Sequence, residues 1–281
     1  MRNLLRSSLF RLRKDIIFWL ALVVCLVAGI VFAVSYLNTP AFDDVYFFPL
    51  FLALAAVLSL FLGREYSDGT LRNAVTAGHR RRGMYGAGLV TALLVSLLCL
   101  VAFWLPFLLV QGKALVRLGA GVVVPVAVGF LLLMAAMTAL FTAVSFNVPN
   151  LAAGAIVNLI LWVGLMLGAY QLEFALGQPE YVREVTMSAQ GEMVEGPKMQ
   201  NPNYLDGPLR VVYEGMEACL PHSQLNDYVS YLSSCLYVQA VPEAEGWEET
   251  DFLYQAPVCS LAVTVCISGL GLALFQRKDL K

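Results

Sequence analysis

The sequence predicts an all-α polytopic membrane protein with six transmembrane helices, an N-terminal interfacial helix and a large extracytoplasmic loop between helices five and six. Three observations predict it. Of the 281 residues, 59% are hydrophobic and only 14% are charged, against about 25% charged in a soluble domain. Mean hydropathy is +0.72, too high for a water-exposed surface of this size. The apolar residues also gather into runs of the roughly 20 residues that a spanning helix needs.

Residues 1–15 predict a helix lying in the membrane interface. Leu4, Leu5, Leu9 and Leu12 fall on one helical face, and Arg2, Arg6 and Arg13 on the other, toward anionic headgroups. The plainer reading is a basic flank that only sets topology. The spans follow at about Ile16 to Leu37, Val45 to Leu62, Met84 to Val110, Leu118 to Phe146, Asn150 to Tyr170 and Phe252 to Phe275. The first run is longer than the apolar stretch of a cleaved signal peptide, and five more follow, so it reads as an uncleaved span. The third and fourth runs exceed the hydrocarbon thickness, which predicts tilt or kinks, with Pro106 and Pro125 as candidate kink points. The fourth run has an alternative start after Pro125.

Lys and Arg placement sets the orientation. Thirteen of the 18 basic residues lie on the side that holds both termini and the loop 63–83; Lys113, Arg117, Arg183, Lys198 and Arg210 lie on the other. Both termini, including the tail 276–281, are therefore expected in the cytoplasm. Residues 171–251 form the extracytoplasmic loop domain. Its fourteen acidic residues face only Arg183, Lys198 and Arg210, a net charge near −11. Such a loop attracts cationic peptides before or after export, or merely stays solvated. Val211, Val212, Met216 and Leu220 are expected to line one helical face. Asn226 or Asp227 is expected to cap a helix through Tyr228–Val238. Gly191–Pro208 reads as loop.

The cytoplasmic loop 63–83 between spans two and three is the most informative segment. Ser67 or Asp68 is a good N-cap, and Gly78 suits the position just past a helix end. The helix between them, of about nine residues, is too short to stand alone and must dock on something. Leu71, Ala74 and Val75 share a face, while Arg72, Asn73 and Thr76 point elsewhere. Gripped by a partner, such a helix acts as a lever on two spans, with Arg64 and Glu65 at its start. The alternative is a helix that packs only on its own chain.

The run Glu65-Tyr66-Ser67-Asp68-Gly69-Thr70-Leu71-Arg72-Asn73, followed by Ala77-Gly78-His79, resembles the cytoplasmic signature of ABC transporter permeases of the type-two family. The resemblance extends to six spans, an N-terminal interfacial helix, internal termini and a charged tail, here Gln276-Arg277-Lys278-Asp279-Leu280-Lys281. It implies a permease subunit of an ATP-binding cassette exporter in the bacterial plasma membrane. Its docking element for the ATPase subunit, the coupling helix, would be Glu65, Asp68, Gly69, Thr70, Leu71, Arg72, Asn73 and Gly78. Two copies of the ABC ATPase, with their ATP and Mg, and a second permease chain, identical or related, would complete the complex. The outer loop is longer than the minimal family pattern, so relatives say little about substrate.

No Gly-x-x-x-x-Gly-Lys-Ser/Thr run occurs, so this chain is expected to bind no cofactor, to hydrolyse no ATP and to act as a transport subunit rather than an enzyme. No pattern points to a metal or to nucleic acid. Gly164 and Gly168 have the Gly-x-x-x-Gly spacing that lets helices approach closely, in a dimer interface or in ordinary packing. Asn158, inside span five, needs a hydrogen-bonding partner. Cys219 and Cys235 are a candidate disulfide in an oxidising compartment. The apolar spans suit an amphiphilic or hydrophobic substrate. The alternative function is a membrane-anchored sensor or receptor subunit that binds ligand with the acidic outer loop.

Overall fold

Within the bilayer no water can satisfy backbone polar groups, so an apolar run is forced to be helical. Each of the six runs is a helix in the computed structural model, which describes residues 2–38, 44–187, 193–240 and 251–278. Helix α1 (Arg2–Lys14) is followed by α2 (Ile16–Asn38), and a 3-10 turn (Asp44–Phe47) leads into α3 (Phe48–Ser67). Then come α4 (Thr70–Thr76), α5 (Arg81–Leu118), α6 (Ala120–Asn147) and α7 (Leu151–Leu176). Strands β1 (Tyr181–Met187) and β2 (Met193–Gln200) and helices α8 (Gly207–Cys219) and α9 (Pro221–Ala240) precede α10 (Phe252–Arg277). Six of these helices, α2, α3, α5, α6, α7 and α10, are long and apolar enough to cross a membrane. By that length and composition the chain is a multi-pass membrane protein. Glu192, Glu243, Glu245, Glu248 and Glu249 of the acidic loop, and residues 279–281 of the tail, lie outside the described residues.

The helices run longer than their apolar cores. Helix α3 carries on through Arg64 and Glu65 to Ser67. Helix α5 spans 38 residues unbroken through Pro106, about 57 Å at 1.5 Å per residue. Helix α6 begins at Ala120, with Pro125 inside it, not after Pro125. A single residue, Gly119, turns α5 into α6 at φ 80°.

Helix α6 sits centrally and touches α3, α5, α7, α9 and α10. Close approach depends on glycine most sharply at two crossings. A Cβ on Gly29 of α2 would lie 2.0 Å from the Phe103 carbonyl oxygen of α5. One on Gly129 of α6 would lie 2.1 Å from the ring of Tyr228 on α9. Phe32, Phe47, Phe103 and Phe107 are fully buried and pack ring to ring where α2, the 3-10 turn before α3 and α5 meet. The side-chain nitrogen of Asn158 on α7 finds partners on neighbouring helices: it donates to Ser59 Oγ of α3 at 2.7 Å, and to Ser145 Oγ and the Phe141 carbonyl of α6 at 3.1 and 3.2 Å.

The segment between α7 and α10 differs from expectation in three ways. Residues 193–200, read as loop, pair with 181–187 as an antiparallel hairpin, with an irregularity between Arg183 and Val185. The face that Val211, Val212 and Met216 share on α8 is exposed. Helix α9 starts at Pro221, whose fixed φ suits a first helical position, and not at Asn226, whose side chain donates to Glu173 Oε1 at 2.9 Å. Leu225, Tyr228, Val229 and Leu232 bury α9 in the bundle against α5, α6, α7 and α10, so this segment packs onto the spans.

Candidate functional site

The expected coupling helix is α4, seven residues long. Neither Ser67 nor Asp68 caps it. Because α3 stays helical to Ser67, the chain must reverse at once, and Gly69 does so at φ 64° and takes the N-cap place itself. The Asn73 amide donates to the Gly69 carbonyl at 2.9 Å. At the other end Gly78 is left-handed, at φ 83°. The Gly78 and His79 amides donate to the Val75 and Ala74 carbonyls at 2.9 and 3.0 Å, a Schellman closure that ends the helix sharply.

One side of α4 docks inward through buried Leu71, with Ala74 packed beside it. Asp68, Arg72, Asn73, Val75, Thr76 and Gly78 are exposed, and Gly69 and Thr70 are partly covered. Val75 thus belongs to the outward face, contrary to the sequence grouping with Leu71 and Ala74. The outward face carries one cation, amide and hydroxyl groups and a small apolar patch, a composition suited to a protein surface. Arg80 and Arg82 extend the exposed basic charge beyond it.

Glu65 does not share that face. It is buried and ion-paired with Arg11 of α1. Next to it, Arg64 Nη1 donates to Asp15 Oδ2 at 2.8 Å, while Asp15 Oδ1 accepts the Ile17 amide at 2.9 Å and so caps α2. Two ion pairs therefore rivet the α1–α2 corner to the end of α3, just before α4. Just after α4, Arg81 donates to the carbonyls of Phe275 and Gln276, at 3.3 and 2.8 Å, and to that of Lys278. These are orphan acceptors at the end of α10, where a cation is also favoured by the helix dipole. Lys278 Nζ in turn donates to the Asn147 carbonyl at the end of α6, at 2.8 Å. Partial burial holds the Lys278 ammonium below the usual lysine range.

The other expected sites fare differently. On α7, Gly164 is exposed and a Cβ there would meet nothing within 4 Å, while Gly168 faces only Leu220 Cδ2 at 3.8 Å. Neither glycine therefore packs α7 tightly within its own bundle. Cys219 and Cys235 are free thiols, not a bridge. Cys219 ends α8, whereas Cys235 lies fourteen residues after the start of helix α9, about 21 Å along a helix axis and far beyond the 4.4–6.8 Å Cα separation of a disulfide. Cys219 instead neighbours Cys259, and Cys235 neighbours Tyr231.

Arg11, Asp15 and Arg81 escape sequence reading as functional residues because their partners are far away in the chain. Asp15 alone had a local signal, an N-cap residue immediately before an apolar run. No family model, curated protein or solved structure matches this chain.

Proposed function

We propose that this chain is the membrane permease subunit of an ATP-driven exporter, in which α4 is the coupling helix that receives the motion of a separate ATPase. The observation that carries this reading is α4 itself: a short helix bounded by two left-handed glycines, anchored inward by Leu71 and polar outward. Its flanks support a mechanical role. Force on α4 reaches α1 and α2 through Arg11–Glu65 and Asp15–Arg64, and reaches α10 and α6 through Arg81 and Lys278. The basic end of the bundle, which carries α1, α4 and Arg81, is cytoplasmic in this reading, as excess Lys and Arg favour. The cell membrane is the bacterial plasma membrane, and the working unit pairs this chain with a second permease and two ATPase subunits. The ATPases carry ATP and Mg, since this chain has no phosphate-cradling loop. The substrate is amphiphilic or hydrophobic, in keeping with spans that hold almost no charge.

The sensor reading places ligand binding in residues 171–251 as a module of their own. The burial of α9 among the spans favours transport instead. The test is co-purification of the tagged full-length chain with an ATPase from its native membrane. Arg72→Ala with Asn73→Ala is expected to weaken that association about tenfold, the usual weight of a central interface residue. Undiminished association and export in this variant, or a chain that works with no ATPase partner, would overturn the proposal.

A further inference from the structure

Cys219 closes α8, and Cys259 lies two turns into α10. Their thiols share a side-chain hydrogen bond. What brings them together is the side chain of Gln224 on α9, which is 1% exposed. Its Nε2 donates at 2.6 Å to the carbonyl of Ala218, the residue before Cys219. Its Oε1 accepts from the hydroxyl of Ser260, the residue after Cys259. One buried amide thus fastens the backbone just ahead of Cys219 to the residue just past Cys259. A disulfide needs converging side chains on Cα atoms about 4.4–6.8 Å apart, and this arrangement supplies the convergence.

The pair is also within reach of an oxidant. Cys219 is exposed and Cys259 half-buried. A cavity of about 390 Å³ opens where α8 faces α10, lined in part by Arg210, Glu214, Glu217, Ala218, Gln255 and Ala256. Ala218 adjoins Cys219, and Gln255 and Ala256 stand one turn before Cys259. Its polar walls admit water, which thiolate formation requires. Cys25 and Cys99 touch as well, but both are 0% exposed among the spans, where nothing reaches them.

We infer that Cys219 and Cys259 form a disulfide in the native membrane, bracing α8 against α10. The inference rests on the orientation in the reading above, which puts this end of the bundle in the oxidising compartment outside the cytoplasm. The oxidant is a disulfide of that compartment. Cys219, as thiolate, attacks one of its sulfurs; that S–S bond breaks, a mixed disulfide forms, and the other sulfur leaves as a thiolate. Cys259 gives its proton to water and attacks Cys219 Sγ, and the mixed bond breaks. The chain loses two electrons and two protons, and the oxidant is reduced to thiols.

The experiment quenches the full-length chain in its native membrane with acid, then alkylates it with N-ethylmaleimide before any reductant. A chymotryptic digest, which cuts between the two cysteines at Tyr228, Tyr237 and Tyr254, is mapped by mass spectrometry. The expected result is a peptide pair joined through 219 and 259 in most of the chain, released by reductant. Cys235→Ser is expected to leave that pair intact, because Cys235 neighbours Tyr231 instead. Alkylation of both Cys219 and Cys259 in the unaltered chain, or Cys219 joined to any other cysteine, overturns the inference. This mapping needs no variant and so stands even where a variant fails to fold. Cys259→Ser separates the bridge from the orientation: its Cys219 is expected to react with a membrane-impermeant maleimide added to spheroplasts. Where it does so while the unaltered chain keeps both thiols reduced, the bridge falls and the orientation stands. Where it reacts only after the membrane is opened, the orientation falls and the bridge with it.

Discussion

At the residue scale, the Arg11–Glu65 pair shows how a charge at a membrane boundary becomes structural. Glu65 stands in the last turn of an apolar helix with its carboxylate covered, and among the described residues it is the guanidinium of Arg11 on α1 that answers it. Removing one partner of a buried pair leaves an uncompensated charge, at up to about 3–5 kcal/mol. Arg11→Ala is therefore expected to destabilise the chain more than Glu65→Gln, which removes the charge itself. Thermal unfolding in detergent orders the two variants, and an equal or reversed order would remove the pair from the account of stability. A second carboxyl, Glu217 on α8, makes a pH prediction. Burial first, then the nearby Glu173 and Glu214, hold it above the usual carboxylate range, with Arg210 opposing. The folded chain thus binds this proton more tightly than the unfolded one. The stabilisation is complete below the ordinary glutamate value, about 4.3, and is lost as pH rises through the folded value. Glu217→Gln is expected to raise the thermal midpoint by roughly 1–3 °C at neutral pH and to leave it unmoved near pH 4, so a shift of the same size at both would contradict the assignment.

At the scale of elements, α4 is the test of how far local sequence reaches. Its end was legible, because Gly78 is a stop signal that needs only its own left-handed φ. Its start was not, because Gly69 acquires its role only once α3 is seen to stay helical through Arg64, Glu65 and Ser67, past the apolar run that marked the span. The six long helices were legible for a stronger reason: the bilayer leaves the backbone no alternative. Outside the bilayer that constraint vanishes. The 181–200 hairpin carries too little regular alternation to announce itself. The ion pairs of Glu65 and Arg64 join residues about fifty positions apart in the chain, beyond any periodicity. Substitution at the two hinge glycines is expected to act on coupling more than on fold. Gly69→Ala and Gly78→Ala each force a side chain into left-handed backbone at a cost of about 1–2 kcal/mol, with no neighbour within 4 Å to clash. Both variants should insert and unfold nearly normally, yet lose ATP-dependent export as α4 loses its fixed angle. Export at full rate in both would show that the angle of α4 does not matter.

At the scale of the whole molecule, the exposed face of α7 raises the question of pairing. Ile156, Ile160 and Leu167 are exposed along it, and Gly164 lies among them with open space above its Cα. Lipid chains cover such a face adequately, so apolar exposure alone does not select a protein neighbour. A glycine whose missing side chain serves no contact within the bundle is a different matter. It costs helix stability relative to alanine, by about 1 kcal/mol in water, and small residues in spans commonly let a second helix come close. In the exporter reading that helix is α7 of the second permease. The consequence is geometric: with no close-packed neighbour inside the chain, a cysteine at 164 can be tolerated by the fold and still lie near its counterpart across a two-fold axis. In a variant with all native cysteines replaced, Gly164→Cys is expected to form a cross-linked dimer in native membranes under mild oxidation, whereas Phe174→Cys, two to three turns further along α7, cross-links less as the helices diverge. Gly164→Leu should separate the chains and abolish export while leaving each bundle folded. A monomeric product from Gly164→Cys, together with full export by Gly164→Leu, would show that lipid covers this face and that pairing must be sought on another helix.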